Sequence, residues 1–113
     1  MSQNSNLLRG TLDLLILKSL TWEPRHGYGI SEWIESVTDG SLLMEEGTLY
    51  PALHRQQDKG WIASEWGLSE NNRRAKYYRL TAAGIQHLTA EADYWTRYTT
   101  AVAQALAMES PSP

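Results

Sequence analysis

Near the C-terminus the apolar residues repeat with the spacing of a coiled coil. Leu88, Ala92, Trp95, Thr99, Val102 and Leu106 step by 4, 3, 4, 3 and 4 residues, which returns them to one stripe of a helix. Thr81 is a suitable N-cap. A helix from Ala82 to about Met108 would extend roughly 40 Å at 1.5 Å per residue. The chain has 113 residues, enough for one compact domain and too few for two, so the rest of the chain cannot cover such a rod. The seam therefore implies a partner helix, most economically from a second copy. Residues 109–113, ending Ser110-Pro111-Ser112-Pro113, read as a flexible tail, as do residues 1–6 at the other end.

Composition removes several classes of function. Hydrophobic residues make up 42% and charged residues 20%, an ordinary globular balance that argues against disorder. The absence of cysteine excludes disulfide scaffolds, thiol chemistry and cysteine-based zinc sites. The longest apolar run, Leu14 to Leu17, is far short of the ~20 residues that span a bilayer. Met1 to Asn6 has no charged lead into an export signal, so a cytoplasmic location without membrane partners is expected. His26, His54 and His87 fall in three separate elements without ligand spacing, so no metal or other cofactor is expected. Adjacent Glu45 and Glu46 would diverge on a helix and no nucleophile accompanies them, so an enzyme is not expected.

Residues 7–20 read as a helix, with Leu8, Leu12, Leu15 and Leu20 near one stripe and Ile16 widening it. Leu14 to Leu17 is apolar on more than one face, which places this helix between packed layers. Thr21 to Gly27 reads as a connector. A second helix over about 28–38 presents Ile30, Trp33, Ile34 and Val37 as one buried face, and Gly40 suits a left-handed stop. Pro51 can sit only in the first turn of a helix, so a third helix starts near Gly47 to Tyr50 and runs to about Lys59 with Gly60 as its stop. Leu49 and Leu53 would face inward, leaving Thr48, Tyr50, Pro51, His54 and Arg55 at the sides and outside. Residues 61–66 and 74–80 alternate as the arms of a β-hairpin, with Tyr77 and Tyr78 packing within it. The expected fold is mainly α with a β-hairpin: a winged helix-turn-helix over residues 7–81, then the dimerisation helix over 82–108.

The net charge of −3 conceals a local asymmetry. Arg73, Arg74, Lys76 and Arg79 fall between Asn71 and Leu80 without an acid, and one such segment can engage a polyanion. A helix bearing Thr48, Tyr50, His54 and Arg55 can offer donors and acceptors to base edges in a major groove. Arg73, Arg74 and Lys76 on the hairpin can then neutralise phosphates or enter the adjacent minor groove. His26-Gly27-Tyr28-Gly29 can set the amides of the second helix's N-terminus, with Tyr28, against a phosphate. The simpler alternative is a turn whose glycines supply backbone freedom.

Four segments carry a resemblance. Leu12-Asp13-Leu14-Leu15-Ile16-Leu17, His26-Gly27-Tyr28-Gly29-Ile30, the run from Glu46 to Arg55 with its Gly-Thr-Leu-Tyr-Pro, and the run from Arg73 to Thr81 with its Lys-Tyr-Tyr-Arg-Leu-Thr resemble the PadR family of bacterial transcriptional regulators, of the type with a single short C-terminal helix. The match covers about residues 7–90. It implies a homodimer that binds a palindromic operator on double-stranded DNA, many members being repressors, and that releases it when a small molecule binds. It also implies that the terminal helix packs on the first and last helices of a second copy. In some PadR-like multidrug sensors flat aromatic ligands lie beside a tryptophan of the dimer interface, which singles out Trp95 as a contact for a small aromatic effector; a plain interface anchor is the alternative. Gln56 departs from the family pattern, standing where an apolar inward residue is usual, so either that end of the helix is exposed or a polar contact lies beneath it. A winged-helix adaptor that holds a protein is the alternative function, and it would not need the basic hairpin.

Overall fold

Capping residues and glycines set the element boundaries. In the computed structural model, which describes residues 5–112 with side chains from residue 10 onward, the order is α1 (Ser5–Ser19), β1 (Arg25–His26), α2 (Gly27–Val37), α3 (Glu46–Asp58), β2 (Ile62–Leu68), β3 (Arg74–Leu80) and α4 (Ala82–Leu106). Residues 1–4 of the expected N-terminal tail, Pro113 and the Leu8 side chain lie outside the described residues; Ser5 and Asn6 are already helical. The His26 imidazole caps α2 by accepting from the Gly29 amide (3.0 Å), and the Thr81 hydroxyl caps α4 by accepting from Gly84 (3.0 Å). Gly40 and Gly60 adopt positive φ, 76° and 78°, and close α2 and α3 as left-handed stops.

Three helices enclose one core and the sheet leans on it. Ile16 and Leu17 of α1, Ile30 and Ile34 of α2, Leu49 and Leu53 of α3, and Ile62 of β2 are all essentially inaccessible. As the apolar run Leu14 to Leu17 suggests, α1 packs against α2, α3 and α4. The strands form an antiparallel sheet in the order β1-β3-β2. Its register pairs Ile62 with Leu80, Ser64 with Tyr78, Trp66 with Lys76 and Leu68 with Arg74. One hairpin face thus continues the core inward through Ile62 and Tyr78 and runs outward through Trp66 and the cations. The whole is a winged helix-turn-helix followed by a long helix.

Several expectations change. The connector from Thr21 to Gly27 contains β1, whose Arg25 and His26 pair with Tyr78 and Tyr77; two residues are too few to show alternation. Pro51 lies six residues into α3, not in its first turn. Both Pro51 and Gly47, whose carbonyl loses its helical donor, are exposed, so water can replace the missing bond. Val37 is 54% exposed, because the last turn of α2 runs past the core that buries Ile30 and Ile34. The last helix stops at Leu106, short of Met108.

Candidate nucleic-acid interface

A cleft of about 860 Å³ opens between the N-terminus of α2, the exposed side of α3 and the inner face of the β2–β3 wing. Tyr28 comes from α2, Tyr50 and His54 from α3, and Arg73, Arg74 and Lys76 from β3 and the turn before it. Three elements distant in sequence thus bring six of the expected contacts onto one surface. Thr48 is exposed on α3 but does not line the cleft.

Arg55 is placed differently from the other candidates. Its guanidinium reaches back to α1 and donates to the Asp13 carboxylate at 2.7 Å, with both side chains largely covered. Next to it Gln56 is fully buried; its amide Nε2 donates to the Asp13 carbonyl at 3.4 Å while Oε1 has no partner. Arg55 and Gln56 together fasten α3 to α1. Gln56 therefore does lie over a polar contact, and half of its amide is left unpaired.

Gly27 and Gly29 open α2, and of the two only Gly27 marks a close approach. Neither has positive φ. A Cβ on Gly27 would strike the Tyr50 phenol, so Tyr50 lies across the start of α2 while part of it stays exposed. Burial first, and then the neighbouring Tyr50, push the Tyr78 hydroxyl above its ordinary pKa. His26 Nδ1 accepts the cap, so the neutral ring carries its proton on Nε2, which faces Glu70 Oε1 at 3.5 Å. The Glu70 carboxyl is held below its ordinary value by its own backbone amide and then by the His26 side chain. Sequence reading missed this contact, as His26 and Glu70 meet only across the folded wing.

On the other side of the domain, α1 and α4 border an apolar groove of about 770 Å³. Leu14, Leu15, Ile85, Ala92 and Trp95 line it, and Lys18 stands at its rim. Leu88, expected in a seam shared with a second copy, packs into the chain's own core where the root of α4 meets α1 and β3, and it also lines this groove. A Cβ on Gly84 would run into the Trp61 carbonyl. The stacked rings of Trp61 and His87, 3.6 Å apart, press the root down further. Ala92, Trp95 and Thr99 are half-buried, and beyond them Val102 is 39% and Leu106 80% exposed.

Comparison with known proteins agrees with this architecture. Residues 16–90 match the sequence model of the "Transcriptional regulator PadR-like family". An uncharacterised protein of Lysinibacillus sphaericus is 34% identical over 91 residues, covering 80% of this chain and 84% of its own. The Escherichia coli (strain K12) transcriptional regulator YqjI is 33% identical over 79 residues; the match covers 70% of this chain and only 36% of YqjI. Among solved structures, a transcriptional regulator from Clostridium thermocellum superposes with a TM-score of 0.78 at 32% identity, over 88% of this chain and 96% of that one. A PadR family regulator from Eggerthella lenta does so at 0.74 and 33%, over 96% and 92%.

Proposed function

This chain belongs to the PadR-like family of transcriptional regulators, whose members bind DNA, and we propose that it works as a homodimeric repressor of a palindromic operator. In this reading α3 enters the major groove, with Thr48, Tyr50 and His54 facing base edges. Arg73, Arg74 and Lys76 engage the phosphates or the adjacent minor groove, and the exposed Tyr28 at the start of α2 takes a further phosphate. Arg55 keeps its place in the clamp on Asp13 and orients α3. The observation that carries the reading is the convergence of α2, α3 and the basic wing on one cleft. A regulator of this kind acts in the cytoplasm, where the DNA is, and needs no catalytic group.

The dimer would form through the distal half of α4. Trp95, Thr99, Val102 and Leu106 form its uncovered seam, and the groove between α1 and α4 gives the α4 of a second copy a place to lie. Two reading heads set near one DNA turn, roughly 34 Å apart, can engage one face of a duplex. A flat aromatic effector stacked on Trp95 would release the operator if it binds better to a dimer with another spacing.

The test is a mobility shift with DNA from upstream of the protein's own gene, repeated over a salt series. DNA contact through the wing gives a steep loss of affinity with salt, made shallower by Arg73→Ala with Arg74→Ala. No retarded band at low salt on any such fragment overturns the reading in favour of a protein-binding adaptor.

A further inference from the structure

The sequence assigns no role to Trp66, and the core gives it none. The indole sits midway along β2, directly across from Lys76 and diagonal to Arg74, and is 57% exposed. The Arg74 guanidinium lies 4.5 Å from its ring centroid and the Lys76 ammonium 5.7 Å. Among the described residues it is the tryptophan that carries two cations; Trp22, Trp33 and Trp61 each carry one. No carboxylate pairs with Arg74 or Lys76 among the described residues, and the nearby Glu70 is turned to His26 instead. An indole face attracts a cation without cancelling its charge, so both cations stay available to a polyanion while losing much of their freedom.

We infer that Trp66 is a positioning residue of the wing, a template that holds Arg74 and Lys76 in place over the cleft before a phosphate arrives. This rests on the DNA reading above. Long charged side chains lose rotamer freedom when they bind, and restraint in the free protein removes part of that cost. Trp66 contributes no charge, so it acts on affinity through Arg74 and Lys76. The number of phosphates neutralised stays the same.

The experiment compares Trp66→Ala, Trp66→Phe and the double variant Arg74→Ala/Lys76→Ala with the native protein on one upstream fragment. With a wing on each subunit, Trp66→Ala is expected to bind about tenfold more weakly while its slope of log affinity against log salt stays native. Trp66→Phe, which keeps an aromatic face, should regain most of the loss. The double variant should flatten the slope. In the free protein, the Arg74 and Lys76 side-chain protons should show upfield ring-current shifts by NMR that Trp66→Ala abolishes, with an unchanged thermal midpoint. Native affinity in Trp66→Ala, absence of those shifts, or no recovery in Trp66→Phe would overturn the inference. If the native protein itself shows no salt-dependent binding, the DNA reading fails, and the NMR shifts still decide whether the template exists.

Discussion

The reading head and the distal half of α4 use similar apolar residues under opposite conditions. In the head, Ile16, Leu17, Ile30, Ile34 and Leu53 meet one another inside a single chain and are covered. In distal α4, Val102 and Leu106 continue a regular seam yet stay exposed, with the stacked pair Tyr94 and Tyr98 exposed beside them. At 1.5 Å per residue the 25 residues of α4 reach about 37 Å, whereas the molecule is only 26–28 Å across its two shorter axes. The head closes a core of its own, even though Val37, Leu43 and Leu68 stay exposed at its surface. The rod does not, and the boundary between the two regimes falls near Trp95.

The sharpest way to break that comparison is to damage each side separately. Leu53→Ala opens a cavity in the head and should cost about 3 kcal/mol of unfolding free energy in denaturant titrations. A loss below about 1 kcal/mol would mean that the head is not closed around Leu53. Carrying both Val102→Asp and Leu106→Asp should leave the unfolding of the isolated chain almost unchanged, since both sites are solvated there. In sedimentation velocity the same variant should dissociate about a hundredfold more readily than native, because two carboxylates from each chain would have to enter a dry seam. Equal dimerisation of variant and native would move the interface elsewhere.

What the sequence revealed follows from the range of each signal. The α4 cap at Thr81, the stops at Gly40 and Gly60 and the alternation within each hairpin arm depend on neighbours a few residues away, and those were legible in the spacing of apolar, capping and turn residues. The grouping of Tyr50, His54 and the Arg73 to Lys76 segment on one surface was legible because helix and wing follow each other in the chain. The Arg55 clamp on Asp13 spans 42 residues and β1 exists only by pairing with β3; neither leaves a local pattern. Leu88 shows a related ambiguity: its heptad position is the same whether α1, a second copy or both cover it.

Gln56 tests the inner side of the head at smaller scale. Its Oε1 is buried without a partner, and its one donated bond is long at 3.4 Å. A buried unsatisfied oxygen costs more than one weak hydrogen bond returns. Gln56→Met keeps the volume and should therefore stabilise the head by about 1 kcal/mol, read from the shift in denaturant midpoint. Destabilisation of similar size would show that the bond to the Asp13 carbonyl matters more than its length suggests.

The smallest expected effect lies at the wing tip, where head and solvent meet. Glu70 is fully exposed, yet its own backbone amide and then His26 hold its carboxyl below the ordinary value. A carboxyl depressed in the folded state stabilises above its unfolded pKa, and that contribution disappears as pH falls through the lower folded value. Glu70→Gln should therefore lower the thermal midpoint slightly near neutral pH, and the difference from native should vanish once pH drops below the carboxylate range. A difference that persists in acid would assign the effect to the amide's own contacts instead of the charge. The same variant also removes an acid from the cleft that Arg73, Arg74 and Lys76 line, so its DNA affinity at low salt should rise while its stability falls. Opposite signs for the two readouts would identify Glu70 as a latch that holds the wing tip at the expense of the polyanion.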